Sequence, residues 1–122
     1  MAKDYHLHME GDVICCTFSK DLIIDEEVLR QAVKDRIKLA RRIARPVYID
    51  AKDVAYYTLK ARIFGASVEA QKDVLAYAII GSKALKTLTN WVLAFTPPKR
   101  VPTKIFDKKE DALEWLTQFK AK

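Results

Sequence analysis

Val74-Leu75-Ala76-Tyr77-Ala78-Ile79-Ile80 is the stretch of sequence that decides the fold. An uninterrupted apolar run of this length is typical of a strand in the middle of a sheet, with both faces covered by other elements. Gly81-Ser82 follows directly and predicts a turn into a helix. We therefore predict a central strand over residues 74–80 of a mainly parallel sheet.

Strands and helices alternate on both sides of this run. Upstream, the patterns predict a hairpin, a helix capped by Asp25 and running to about residue 44, a strand over 47–50, and a helix over 59–71 that contains Gly65. The hairpin strands cover 5–10 and 13–19, with Gly11-Asp12 as the turn. Glycine inside a helix is unfavourable, so we expect Gly65 to pack closely against a neighbour.

Downstream of residue 80, the patterns predict a helix over 83–95, a strand over 101–106 and a final helix capped by Asp107. The complete order is β-β-α-β-α-β-α-β-α. It predicts a single α/β domain over residues 1–122, in which four helices cover a mainly parallel mixed sheet with an N-terminal hairpin.

Composition excludes several classes of protein. Half of the 122 residues are apolar, which argues against disorder, and no apolar run approaches the ~20 residues that span a membrane. The N-terminal residues lack the apolar stretch of a secretory signal. Cys15 and Cys16 are adjacent and cannot form a disulfide framework, which fits a reducing compartment. We expect a cytoplasmic protein.

The net charge of +6 belongs to one segment, because residues 28–45 contain seven basic side chains and one acid, whereas the rest of the chain is neutral. On the predicted helix, six of these cations share one face and form a candidate docking face for phosphates, acidic lipids or an acidic protein: Arg30, Lys34, Lys38, Arg41, Arg42 and Arg45. A solvated outer face is the alternative that we favour. No aromatic side chains are interleaved with the cations, which argues against nucleic-acid binding.

Arg36 projects from the apolar side of the same helix. A charge in that position must be paired or must reach the edge of the apolar surface. Asp50 or Asp53, at the end of the next strand, could supply the carboxylate, so we predict a structural ion pair, with Arg36–Asp50 as the first candidate. A subunit contact is favoured equally with this ion pair, and a ligand-anchoring arginine is the alternative.

The predicted hairpin brings together the one group of residues that resembles a metal site. His6 and His8 lie on one face of the first strand, Cys15 falls opposite His8, and Glu10 could complete a tetrahedral set for zinc. A slip of one residue in the strand register would scatter the group. We favour a polar edge hairpin and predict no metal site and no cofactor.

The chain resembles the STAS-like, or SpoIIAA-like, domains, which are small cytosolic modules related to anti-sigma-factor antagonists. The resemblance rests on the strand at 46–50, the helix that opens at Thr58, and several downstream segments. These segments are Ile79-Ile80-Gly81-Ser82, Asn90-Trp91-Val92, Thr96-Pro97-Pro98, residues 101–106 and residues 112–116, and they look like an uncharacterised bacterial branch. The resemblance implies a SpoIIAA-like fold over essentially the whole chain.

One feature of the resembled antagonists is missing. They carry an Asp-Ser pair, phosphorylated on the serine, where the switch helix begins, and this chain has Tyr56-Tyr57-Thr58-Leu59 there. Thr58 is the one residue of that stretch positioned to accept a phosphate, and Ser82 lies at a helix start that could bind an anion. We interpret both residues as simple helix caps.

The residues contain no recognisable catalytic set. We therefore expect a non-enzymatic bacterial regulatory or scaffolding module that binds an unknown protein partner or forms a homodimer. A small-ligand or lipid carrier is the alternative from a different class, and it requires a deep apolar cavity bordered by Arg36. Nonspecific nucleic-acid binding through the basic helix is a third hypothesis.

Overall fold

The computed structural model describes residues 4–81 and 101–120 of the chain. Their main elements are strands β1 (Tyr5–Glu10), β2 (Val13–Phe18), β3 (Ile23–Ile24), helix α1 (Glu26–Ala40), strands β4 (Arg45–Asp50) and β5 (Tyr56–Tyr57), helix α2 (Leu59–Gly65), strands β6 (Val74–Ile80) and β7 (Thr103–Phe106), and helix α3 (Lys109–Leu116). A short 3-10 turn, Glu69–Gln71, connects α2 to β6. No helix among these residues is long and apolar enough to cross a membrane.

Five strands form the main sheet, in the order β1-β2-β4-β6-β7. The hairpin pair β1–β2 is antiparallel, and the other three pairs are parallel. β3 and β5 form a separate two-residue parallel pair, which the sequence patterns do not predict. Strand β6 has the predicted bounds and lies inside the sheet, between β4 and β7, and the mainly parallel mixed sheet is confirmed.

Helices cover the sheet on both faces. α1 and α2 pack on one face, where Cys16, Phe18, Leu29, Val33 and Phe64 belong to one apolar core. α3 packs on the other face, where Ala112 and Leu116 meet Cys15 and Tyr48. This division follows from strand geometry, because neighbouring side chains of a strand, such as Cys15 and Cys16, point to opposite faces.

Helix α1 begins as predicted, since Asp25 Oδ1 accepts a hydrogen bond of 2.9 Å from the backbone N–H of Val28. It ends at Ala40, so the predicted extension to residue 44 is wrong. Arg41 and Arg42 adopt positive φ angles of 53° and 63°, which reverse the chain so that β4 can begin at Arg45. The Arg45 N–H then donates to the Asp73 carbonyl, a contact that a longer helix would prevent.

Other predicted boundaries also change, including the start of β4, which is Arg45 rather than residue 47, and the end of β2, which is Phe18 rather than residue 19. The helix predicted over 59–71 ends at Gly65, and the last strand begins at Thr103 rather than at residue 101. Lys108, not Asp107, precedes the first turn of α3, and no side chain caps that helix. The described residues contain three α-helices, and the predicted helix over 83–95 lies outside them.

Candidate functional site

A cavity lies between the sheet and the layer formed by α1, α2 and β5. Its volume is about 90 Å³, and most of its lining is apolar: Phe18, Ile24, Leu29, Val33, Ile49, Ala51, Val54, Ala66, Ala70 and Ile79. Tyr57, Arg62, Gln71, Tyr77 and Thr103 supply its polar groups. This volume is far below the roughly 300–1,000 Å³ of pockets for drug-sized ligands, so only a small ligand would fit without movement of the walls.

Arg62 lines this cavity and is almost fully buried, with 8% of its surface exposed. Its Nε and Nη1 atoms are buried without a hydrogen-bond partner. A buried charge normally has a carboxylate or several hydrogen bonds around it, because leaving it unpaired is unfavourable. Arg62 is therefore the polar group of the cavity that most needs an external partner.

Arg36 lies behind the cavity and is 3% exposed. Its Nη2 donates a hydrogen bond of 3.1 Å to the carbonyl of Ala70, whereas Nε and Nη1 are buried and have no partner. The predicted burial of Arg36 is correct, but the predicted Arg36–Asp50 ion pair does not form, because Asp50 contacts the Nζ of Lys52 at 3.7 Å instead. Arg36 is therefore a second buried guanidinium with unsatisfied donors.

Two tyrosines connect these arginines. The hydroxyl of Tyr77 donates to the same Ala70 carbonyl that Arg36 binds. Burial raises the pKa of Tyr57, the nearby Tyr77 raises it further, and Arg62 opposes the shift. Burial likewise raises the pKa of Tyr77, and Arg36 opposes that shift. Both phenols are therefore neutral hydrogen-bonding groups at physiological pH, and each lies near one of the two arginines.

Gly65 lets the Tyr57 side chain lie against helix α2. A Cβ atom at position 65 would come within 2.8 Å of the Tyr57 hydroxyl and 3.4 Å of Leu29 Cδ2. The expected close packing at this glycine is confirmed. It holds Tyr57 in the wall of the cavity.

The sequence patterns do not identify Arg62, Tyr57 and Tyr77 as site residues. A usable signal was the spacing of Arg62, Gly65 and Ala66 at i, i+3 and i+4, which places the arginine beside two small residues on one side of α2. Small neighbours leave room for a guanidinium to turn inward.

The outer side of the same layer carries a set of exposed apolar side chains, which we call the apolar surface. Its members are 48–87% exposed: Ile23, Tyr56, Leu59, Ile63 and Val68. Ile23 is paired with Tyr56 in the β3–β5 ladder, and Leu59 and Ile63 lie one helical turn apart. Large exposed apolar side chains grouped in this way are typical of an interaction surface.

The six predicted docking cations do not share one helix face. Arg30, Lys34 and Lys38 are on α1, whereas Arg41 and Arg42 lie in the left-handed turn and Arg45 begins β4. This separation follows from the early end of α1.

Some of these cations already have acidic partners. Arg30 pairs with Glu26 at 2.7 Å and with Glu69 at 3.3 Å, and its guanidinium lies 4.3 Å from the centre of the Phe64 ring. Arg45 contacts Asp12 at 3.4 Å. These ion pairs reduce the positive charge available to a polyanion.

The hairpin register is as predicted, with His8 opposite Cys15. The ligand atoms of His8, Glu10 and Cys15 lie within 4.8 Å of one another, whereas the His6 ring stacks on His8 with centroids 5.5 Å apart. Burial and the charge of Glu10 raise the pKa of Cys15 to about 11, and Lys109 contacts Glu10 at 3.4 Å. A protonated thiol and a competing ammonium both oppose metal binding at neutral pH.

Thr58 has the role expected of a helix cap. Its Oγ1 accepts a hydrogen bond of 3.1 Å from the Ala61 N–H at the start of α2. Ser82, the other residue interpreted as a cap, lies outside the described residues. The structure thus gives Thr58 a structural partner.

Comparison with known proteins identifies the fold. The family model described as "Domain of unknown function (DUF7793)" matches residues 7–120, and no match was found among curated proteins. The chain is similar to the crystal structure of an uncharacterised protein of the DUF3478 family with a SpoIIAA-like fold, from Shewanella loihica PV-4. The TM-score is 0.62 at 22% identity, covering 92% of this chain and 91% of the other. At this identity the likeness shows the fold alone, and the SpoIIAA-like resemblance is confirmed.

Proposed function

We propose, from the premise that the chain belongs to the DUF7793 family and has a SpoIIAA-like fold, that it is a non-enzymatic binding domain whose cavity takes a small apolar ligand. One observation carries this proposal. The space between the sheet and α2 is a cavity of about 90 Å³ with a mostly apolar lining, at a place where other domains have a packed core.

Leaving such a space empty is unfavourable for stability. A residual cavity destabilises a protein by roughly 24 cal/mol per Å³, which for about 90 Å³ corresponds to about 2 kcal/mol. An apolar ligand that fills the cavity recovers contacts with the side chains of the lining, since these lack partner atoms on one side. Ligand binding would therefore offset the destabilisation that the empty cavity causes.

The wall formed by α2 suits the admission of a ligand. The helix has seven residues, and a helix this short depends on tertiary packing for its stability. Gly65 and Ala66 at its C-terminal end, with Ala70 in the next turn, present little side-chain bulk to the cavity. We therefore expect a ligand to enter past this end of the helix, while Phe64 keeps α2 anchored in the apolar core.

Titration calorimetry with octanol tests the proposal. We expect saturable binding at one site, because the alkyl chain replaces empty space with apolar contacts. Ala66→Leu fills the cavity and should abolish binding, whereas Ala55→Leu makes the same change at an exposed alanine and should retain it. An absence of binding to the wild-type protein, or equal binding by both variants, would refute the proposed cavity site.

Protein–protein interaction is a second candidate function, in which the domain is a regulatory or scaffolding module. The apolar surface favours it, because five large apolar side chains remain exposed on β3, β5, α2 and the segment after α2. The first occupant we propose is a second copy of the chain, since two such surfaces are complementary in their apolar chemistry. β3 and β5 join this surface to the cavity, because Ile23 and Tyr56 belong to the surface and the residues that follow them, Ile24 and Tyr57, line the cavity.

Multi-angle light scattering tests this second function. We expect a dimer that Ile63→Glu disrupts, because the new carboxylate would be buried in the interface. Gln118→Glu introduces the same charge at an exposed residue after α3 and should leave the dimer intact. A wild-type protein that stays monomeric at high concentration would rule out the second copy as the occupant.

A further inference from the structure

We propose that the ligand of the cavity is an alkyl carboxylate, bound with its chain among the apolar side chains and its carboxylate at Arg62, with Arg36 adding positive charge behind the site. This inference rests on the proposed cavity-binding function and names the chemical class of the ligand.

Arg62 has hydrogen-bond donors that no group in the described part of the protein satisfies. The side chain lines the cavity, is 8% exposed, and has Nε and Nη1 buried without a partner. A guanidinium presents its donors as a planar fork that matches the two oxygens of a carboxylate. A carboxylate that bridges Nη2 and one of these two donors would satisfy that donor and neutralise the charge.

A second cation, Arg36, lies next to residues that line the cavity. Arg36 Nη2 and the Tyr77 hydroxyl share the carbonyl of Ala70, and both Ala70 and Tyr77 line the cavity. Nε and Nη1 of Arg36 are also buried and unpaired. Two uncompensated positive charges in an apolar region make an anion the favoured occupant, because their field is weakly screened there.

The acidic side chains of residues 4–81 and 101–120 do not pair with these two arginines. Among the described residues, no carboxylate forms an ion pair with Arg36 or Arg62, and the buried Oδ2 of Asp73 also lacks a hydrogen-bond partner. Residues 1–3, 82–100 and 121–122 contain no aspartate or glutamate. The acidic side chains that the structure describes therefore do not neutralise these two arginines, and a bound ligand would supply the negative charge.

A cavity with this combination of groups selects an amphiphile rather than a free anion. Its apolar lining, which includes Leu29, Val33 and Ile79, gains nothing from an inorganic ion. Tyr57, a neutral phenol in the cavity wall, could donate a hydrogen bond to an oxygen of a head group, whereas Tyr77 already donates its single hydroxyl hydrogen to the Ala70 carbonyl. A short or medium alkyl chain fits the volume better than a membrane lipid does.

The experiment compares three probes of equal chain length, octanoate, octanol and octylamine, by titration calorimetry near neutral pH. We expect octanoate to bind at least about tenfold more tightly than octanol, the difference of one good charge-assisted hydrogen bond, and octylamine to bind weakest. Equal affinities for octanoate and octanol would overturn the carboxylate assignment and leave the proposed cavity function standing. If neither probe binds, the cavity function itself fails.

Variants identify the residue that holds the carboxylate. Arg62→Met should abolish the preference for octanoate over octanol and should raise the melting temperature of the unliganded protein, because it removes an unpaired buried charge. Arg36→Met should reduce the preference less, since Arg36 lies behind the cavity. Arg30→Met removes an exposed, ion-paired arginine of α1 and should leave the preference unchanged. A full preference for octanoate in Arg62→Met would contradict the inference.

Discussion

The buried thiols Cys15 and Cys16 are adjacent in β2 but lie in the cores on opposite faces of the sheet. Cys15 lies on the α3 face of the sheet and Cys16 on the α1 face. Burial raises the pKa of Cys15 to about 11 and the pKa of Cys16 to about 12, from an ordinary value of 9.0. Both side chains are therefore neutral core residues at physiological pH.

This burial predicts how stability depends on alkaline pH. Between the ordinary thiol pKa of 9.0 and the raised values in the folded state, the unfolded chain loses protons that the folded chain retains. The free energy of unfolding should therefore be at its full value below about pH 9 and should fall as pH rises toward the folded pKa values, by at most about 1.4 kcal/mol per pH unit for each thiol.

Urea denaturation at a series of pH values measures this effect. A double variant, Cys15→Ala with Cys16→Ala, should show a smaller decline above pH 9 than the wild-type protein, and the same pH dependence below it. An identical decline in both proteins would assign the alkaline sensitivity to the tyrosines and contradict the role given to the thiols.

The candidate site was predictable from the sequence only in part, as Arg36 illustrates. The apolar positions of α1 predict that its side chain turns inward, and the structure confirms this. Its partner could not be predicted, because the choice between Asp50 and the Ala70 carbonyl depends on how the 3-10 turn Glu69–Gln71 folds against α1. Periodicity describes one element and contains no information about such contacts between elements.

At the scale of elements, α2 joins the two features that suggest a function. Its inner side, through Arg62 and Gly65, contributes to the cavity, and its outer side, through Leu59 and Ile63, contributes to the apolar surface. The sequence predicted a helix through residue 71, whereas α2 ends at Gly65. The sequence pattern could not show this earlier end, because the apolar spacing from Ala66 to Gln71 fits a 3-10 turn as well as an α-helix.

Gly65→Ala should change ligand binding more than stability. The added Cβ would contact the Tyr57 hydroxyl at 2.8 Å and push the ring toward the cavity, whereas alanine gains up to about 1 kcal/mol over glycine in a helix. We expect a loss of octanol affinity of about tenfold or more, the effect of about 1.4 kcal/mol, with a melting temperature close to that of the wild-type protein. Calorimetry and thermal denaturation measure the two quantities.

The glycine of the hairpin turn, Gly11, provides a control. Gly11 has a φ angle of +60°, and a Cβ atom added there would have no other atom within 4 Å. Gly11→Ala should therefore lower stability by roughly 1 kcal/mol through backbone strain without changing ligand affinity. If Gly65→Ala bound octanol as the wild-type protein does, Tyr57 would not be a wall of the binding site.

For the whole molecule, strand and helix order was the most predictable property. The apolar run of β6 and the alternation around it predicted a mainly parallel sheet, which the structure confirms. The β3–β5 pair was not predictable, because each strand has two residues and no periodicity can be read from so few. These two short strands nevertheless position Ile24 and Tyr57 in the cavity wall.

The distribution of charge across the molecule also differs from the prediction. The excess cations of residues 28–45 divide into paired residues, a left-handed turn and two exposed lysines, Lys34 and Lys38, on α1. The two buried arginines, Arg36 and Arg62, have no acidic partner among the described residues. Part of the net charge of +6 therefore lies inside the protein, next to the cavity.

The most direct test of the central claim is a methyl NMR spectrum of the protein titrated with octanoate. The account predicts chemical-shift changes and intermolecular nuclear Overhauser effects at Val33, Ile49 and Ile79, which line the cavity, and none at Val13 on the α3 face. Chemical-shift changes confined to Ile63 and Val68 would show that octanoate binds at the exposed apolar surface. That result would contradict the assignment of the cavity as the binding site.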